Sequence, residues 1–307
     1  MMVLPKRLHK GDTIGVVAPA SPPNIEQLDR SLPFLEELGL KVKMGKHVRK
    51  VDGYLAGTNE ARLEDLHEMF ADPDVKGIIC AGGGYGTGRI ADQIDYNVIK
   101  NNPKIFWGYS DITFLHTAFF QRTGLVTFHG PMLASDVGKE NFHELSKKMF
   151  QQLFDPKELH YTEDISPLSV VNEGEAVGPL VGGNLTLIRS TIGTPFEIDT
   201  VGKLLLIEDI DEEPYCVDGM LNQLAMAGKL EDAAGIVVGD FKNAVPKRRK
   251  SSQTLDEVLN YYLKELKIPV VKGFKIGHCQ PHFAVPLGIP AKLSSRSKTL
   301  TFFPGVQ

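Results

Sequence analysis

Short apolar runs alternate with amphipathic stretches through the first half of the chain, and this rhythm restricts the fold more than any other feature. The run 13–18 is followed by a helical stretch over 25–38 and a short strand over 41–44. Residues 59–71 then place Leu63, Leu66 and Phe70 at helical spacing, and Asp72-Pro73 stops that helix before the apolar run 77–81. A further strand over 105–107 leads into a helical stretch over 112–121. Strand-then-helix repetition predicts a parallel sheet, hence an α/β fold. Both later strands end in tight, glycine-bearing turns.

Between 153 and 171 the periodicity lapses, and Asp155-Pro156 and Ser166-Pro167 punctuate the stretch as a linker would. The expected division is therefore an N-terminal α/β domain over 1–155, a linker over 156–172 and a C-terminal domain over 173–307. In the latter, a glycine turn with a short helix is expected over 182–192, strands over 204–207 and 235–238, and a helix over 217–227. Thr254 and Glu257 form a capping box ahead of Val258, Leu259, Tyr262, Leu263 and Leu266. The end reads as sheet, with a strand over 269–274 and a pair, 291–293 and 300–303, around a polar turn.

With 307 residues, 42% of them hydrophobic, the chain can build two cores. Its 34 Lys and Arg against 38 Asp and Glu give a net charge of -4, which offers no pull toward nucleic acid or anionic lipid. No run approaches the roughly 18 apolar residues of a membrane-spanning helix, and the apolar run 14–18, broken by Gly15, is too short for a secretory signal. A cytoplasmic protein is expected. Cys80, Cys216 and Cys279 are widely spaced, which suggests neither a disulfide framework nor a cysteine zinc site. The basic run Lys247-Arg248-Arg249-Lys250 reads as a solvated loop.

Ser110 lies in Gly108-Tyr109-Ser110-Asp111, between a predicted strand and a predicted helix. Two readings of it are open. Serine commonly caps helices; alternatively, the turn exposes the hydroxyl at the carboxyl edge of a parallel sheet, where ligands bind, with helix N–H groups at hand for an oxyanion. Ile112 stands where the G-x-S-x-G turn of α/β-hydrolases has glycine, which disfavours that fold. The turn 82–88 (Gly-Gly-Gly-Tyr-Gly-Thr-Gly) fits no G-x-G-x-x-G register and has no G-K-[ST]. It is either a plain tight turn or backbone able to approach a ligand.

Glu208 ends an apolar strand and opens an acidic run with Asp209, Asp211, Glu212 and Glu213. A solvated loop explains most of these better than a cation site, since EF-hand spacing is lacking. A carboxylate at a strand end can also orient a histidine. His278, just past a strand, is the histidine placed to return over a sheet; His129 is either a hydrogen-bonded structural residue or a second site residue. Ser110, His278 and Glu208 together supply the nucleophile, base and orienting group of a serine hydrolase. Thiol chemistry at Cys279, beside His278, is disfavoured because chain neighbours rarely face each other.

These residues, with Ala18-Pro19-Ala20-Ser21, Gly83-Gly84-Tyr85-Gly86, Phe128-His129-Gly130-Pro131-Met132, Gly182-Gly183-Asn184-Leu185 and Gly277-His278, recur in order along nearly the whole chain. In this the sequence resembles the LD-carboxypeptidases, or muramoyltetrapeptide carboxypeptidases, a family of serine peptidases. The resemblance implies a Rossmann-like or flavodoxin-like N-terminal domain and a β-rich C-terminal α/β domain. It implies Ser110 as nucleophile, His278 as general base and Glu208 as its partner, with backbone N–H groups at Gly84 and Asp111 as oxyanion hole. Tyr85, His129 and Asn184 are the expected substrate-side residues. The implied substrate is a murein tetrapeptide losing its terminal D-alanine, with no metal or organic cofactor and with a homodimer as the implied assembly. Gly82 departs from the family pattern, where many relatives carry arginine. Two alternatives are an immunity peptidase acting on a peptide-nucleotide antibiotic and a non-catalytic receptor for peptide or sugar in the cleft.

Overall fold

Five short strands of the first half pair in parallel: β1 (Thr13–Val17), β2 (Lys41–Met44), β3 (Val75–Cys80), β4 (Ile105–Gly108) and β5 (Thr127–His129). This computed structural model describes residues 2–247 and 251–307, so the expectation of a solvated loop at Arg248, Arg249 and Lys250 lies outside the described residues. The strands are ordered β5-β4-β3-β1-β2, the flavodoxin-like order, which decides between the two expected folds. β4 is buried along its whole length and β3 everywhere but Lys76, as befits strands covered on both faces. Between them run α1 (Ile25–Glu37), α2 (Asn59–Ala71), α3 (Tyr96–Asn101) and α4 (Thr113–Thr123), followed by α5 (Glu144–Lys148). In α2, Leu63, Leu66 and Phe70 are buried as their spacing requires, and the Thr58 side chain caps the helix by accepting from the Ala61 N–H.

The stretch expected as a linker carries structure: β6 (Leu159–Tyr161) and β7 (Ser169–Asn172). Three- and four-residue strands that pair at long range leave no periodic signal, which is why the segment read as irregular. β8 (Glu175–Asn184), β9 (Leu204–Ile210), β10 (Gly235–Lys242) and β11 (Val270–Lys272) then form a parallel centre, with β7 antiparallel on β11. The glycines expected in a turn over 182–184 instead complete β8, and α6 (Leu185–Thr191) starts directly after them. α7 (Pro214–Met226) and α8 (Leu255–Leu263) follow, the latter with both bonds of the predicted Thr254–Glu257 capping box.

After β11 the chain adds β12 (Val285–Leu287), antiparallel to β5 at the edge of the first sheet. β13 (Pro290–Ser294) and β14 (Thr299–Phe302) then form the predicted hairpin beside β8, with β6 outermost, to complete a second sheet of eight strands. The two units are accordingly Met1–Lys157 with Gln280–Gly288 and Pro304–Gln307, and Glu158–Cys279 with Ile289–Phe303. Two segments expected in the C-terminal domain thus belong to the first unit. No described helix is long and apolar enough to cross a membrane.

Candidate active site

In the first unit the loops after β1, β3 and β4 meet at the carboxyl edge of the sheet, and β1 and β3 flank the point where strand order reverses. Ser110 opens a 3-10 turn, Ser110–Ile112, that leads into α4. The caps of that turn and of α4 are Tyr109 and Ile112, and neither caps through a side chain. Ser110 itself has φ 64, a left-handed conformation uncommon for a non-glycine residue and found at strained functional turns. Its hydroxyl sits against the glycine turn: a Cβ placed on Gly83 would lie 3.0 Å from Ser110 Cβ and 3.2 Å from Oγ. Gly84 has φ +107 and backs onto Ser21, which accepts the Tyr85 N–H at 3.1 Å and donates its own N–H to Gly83 O. The early Ala-Pro-Ala-Ser motif therefore shapes the glycine turn.

Asp111 ties the two turns together. Its buried carboxylate accepts the Thr87 N–H at 2.9 Å, and Thr87 Oγ1 donates to its carbonyl at 2.7 Å. Burial raises the Asp111 pKa, opposed by the Thr87 N–H. As second residue of a helical turn, Asp111 has an N–H of the kind left without an intrahelical acceptor, suited to developing negative charge. Tyr85 is 53% exposed beside this turn, its ring edge-on to Tyr54 with centroids 5.6 Å apart. Gly82 has Ser135 Oγ as its one close neighbour, 3.1 Å from where a Cβ would stand.

Beneath the Ser110 turn lies a polar cluster that sequence reasoning reached only at His129. Tyr109 donates its hydroxyl to Asp136 Oδ1 at 3.1 Å, and Asp136 Oδ2 accepts the Met132 N–H at 2.9 Å. His129, fully buried at the end of β5, has its Nδ1 3.2 Å from Nε2 of His282. Both rings meet Tyr109 edge-on, His282 at 4.7 Å and His129 at 5.5 Å between centroids. His116 on α4 donates Nε2–H to Gly108 O at 2.8 Å, and burial lowers its pKa to about 3, so it is neutral. A histidine inside the apolar stretch Phe114-Leu115-His116-Thr117-Ala118 was the available sequence signal for a buried, bonded group.

In the second unit Glu208, fully buried near the end of β9, accepts from His278 Nδ1 at 2.7 Å. Two glycines make the space. A Cβ on Gly277, which has φ +121, would come within 2.5 Å of Glu208 Oε2, and one on Gly239 within 3.1 Å of Glu208 Cβ. The Nδ1 bond to the carboxylate holds the imidazole in the tautomer whose Nε2 is the basic nitrogen. Burial raises the pKa of the Cys279 thiol, which keeps it from the thiolate form.

Asn184 is the register partner of Glu208 on the neighbouring strand. Its Oδ1 caps α6 through the Leu187 N–H, and its Nδ2 donates to Asp209 at 3.0 Å. Three more members of the acidic run have local partners: Asp209 accepts from Thr186, Asp211 from Asn243 and Lys247, and Glu213 from the Lys247 N–H. Burial, with Glu208 nearby, lifts Asp209 to about 6. Among the described residues no group of three His, Cys, Asp or Glu is arranged to hold a metal ion.

Comparison with known proteins places both units. The profile of the LD-carboxypeptidase N-terminal domain matches residues 14–130, and that of the LD-carboxypeptidase C-terminal domain matches residues 177–293. The probable murein peptide carboxypeptidase of Bacillus subtilis (strain 168) is 59% identical over 302 residues, covering 98% of this chain and 95% of that protein. Among solved structures, an MccF-like protein from Bacillus anthracis str. Ames superposes with a TM-score of 0.88 at 28% identity, covering 98% of this chain and 99% of that one. The muramoyltetrapeptide carboxypeptidase from Oxalobacter formigenes gives a TM-score of 0.84 at 29% identity, covering 94% and 97%. With both domain profiles matched in order and a relative this similar over almost its whole length, the chain belongs to the LD-carboxypeptidase family.

Proposed function

We propose that this protein is a cytoplasmic serine carboxypeptidase that releases the terminal D-alanine of murein tetrapeptides during recycling of cell-wall peptides. His278 takes the proton of Ser110 as its oxygen attacks the carbonyl carbon of the last peptide bond. Glu208 holds the imidazole in the right tautomer and stabilises the imidazolium. N–H groups at Asp111 and Gly84 receive the oxyanion. The proton then passes from His278 to the departing amine, D-alanine leaves, and water attacks the acyl-enzyme with His278 again as base. Tyr85 serves the substrate side, whereas His129 supports the Ser110 turn and Asn184 the Glu208 strand.

The observation that carries this reading is the 2.7 Å bond from His278 Nδ1 to a carboxylate with no exposure to solvent. Burying a carboxylate costs free energy unless it is paired, and this one is paired with the one imidazole a serine peptidase requires. Support for the substrate comes from the names of the Bacillus and Oxalobacter relatives. The test is incubation with L-Ala-γ-D-Glu-meso-diaminopimelate-D-Ala: free D-alanine is expected, and none above a Ser110→Ala control would sink the proposal. A second reading, hydrolysis of a peptide-nucleotide conjugate, draws on the likeness to MccF, whose structure is solved in complex with glutamyl sulfamoyl guanosine. Comparing kcat/KM for both substrates on one preparation separates the two.

A further inference from the structure

The cluster beneath Ser110 has no part in the reaction as written, yet it is more elaborate than core packing needs. A residue in the left-handed region persists there only where its surroundings over-determine it. Ser110, with φ 64, follows directly on Tyr109, which is held by Asp136 at its hydroxyl and by two imidazoles at its ring. His282 completes this arrangement from another part of the chain. It is 3% exposed, donates its N–H to Ser146 Oγ at 2.8 Å and meets His129 at 3.2 Å. Only Cys279, Gln280 and Pro281 separate it from His278. One residue thus braces the nucleophile turn.

We infer that His282, acting through its hydrogen bond to His129 and its contact with Tyr109, is a positioning residue for Ser110. This rests on the reading of Ser110 as nucleophile. Two merely structural histidines would tolerate an apolar replacement that preserves folding with no change in rate. A positioning pair would not, because small displacements of reacting groups cost large factors in kcat while ground-state binding is kept.

The experiment uses the full chain and two readouts, the rate of fluorophosphonate labelling at Ser110 and steady-state release of D-alanine. For His282→Leu, labelling rate and kcat are expected to fall by the same factor, about 10- to 100-fold, with KM within about twofold. His282→Gln, which keeps a nitrogen at similar reach, should recover most of the loss. A folded His282→Leu protein that labels and turns over at the wild-type rate overturns the inference. If His282→Leu does not fold, His282→Asn replaces it, since its shorter amide stays polar but falls short of His129; the same loss is expected and a wild-type rate again overturns the idea. Wild-type protein that is labelled yet releases no D-alanine defeats the substrate reading alone, and the labelling rates of the variants still decide this one. Wild-type protein that takes no label defeats the nucleophile and this inference with it.

Discussion

Gly83 has no side chain because Ser110 occupies the place where one would go. An alanine Cβ there would meet Ser110 Cβ at 3.0 Å, Oγ at 3.2 Å and Met132 Cε at 3.3 Å. The contacts are tight without being impossible, so Gly83→Ala should fold while displacing the hydroxyl. Its labelling by fluorophosphonate is expected to slow about tenfold or more; an unchanged rate would show that the glycine turn does not set the position of the proposed nucleophile. Glu208→Gln keeps shape and removes charge, and kcat for D-alanine release should fall by about 10²- to 10⁴-fold. Gly277→Ala should do comparable damage by another route, since its Cβ would come within 2.5 Å of Glu208 Oε2 at a residue with φ +121, and should also cost about 1–3 kcal/mol of stability in denaturant titration. Ser110, Glu208 and His278, the proposed triad, were nameable from the sequence because their types and flanking motifs suit that chemistry. Gly277 as the space for Glu208, and Asp136 and His282 as the support of Tyr109, were not, because each acts through a contact between distant parts of the chain.

At the scale of elements, α4 is tied to β4 by His116, whose Nε2–H donates to the last carbonyl of the strand. Burial lowers its pKa from the ordinary 6.5 to about 3. The unfolded chain therefore takes up a proton here below about pH 6.5 while the folded chain does not until about pH 3. The associated stability is fully present above the unfolded value and is lost as pH falls through that window, with a slope of at most about 1.4 kcal/mol per pH unit. His116→Gln can still donate to Gly108 O and has nothing to protonate. Urea midpoints at pH 7.5 and pH 4.5 should fall further for the wild type than for the variant, and equal falls would refute the assignment. Elements with their own signals were legible: α2 from its apolar spacing, α8 from its capping box, β9 from its unbroken apolar run. β6, β7 and β12 were not, since each is three or four residues long and exists only because a partner strand offers it an edge.

For the molecule as a whole, the chain leaves the flavodoxin-like unit after Lys157 and returns to it, and no periodic signal in the sequence marks the return. Gln280–Gly288 and Pro304–Gln307 complete that unit from the far end of the sequence. β12 covers the edge of β5, pairing Val285 with His129 and Leu287 with Thr127. Gln152 donates to Ala284 O, and Gly305 packs so closely on Phe128 that a Cβ there would come within 2.7 Å of the ring. A fragment of residues 1–157 consequently has every residue of the parallel sheet, yet it leaves β5 as an open apolar edge, which invites association. The one tryptophan reports on this directly. Trp107 stacks on Phe128 at 6.0 Å and on Phe150 at 4.4 Å, and donates its indole N–H to Pro131 O, so in the intact protein its environment is fixed. In the fragment we expect far-UV circular dichroism to persist while the near-UV tryptophan band is lost, the mark of secondary structure without settled packing. A monomeric fragment with a sharp, native near-UV band would mean that the first unit does not need its C-terminal strand, and that the boundary visible in the sequence is also the physical one.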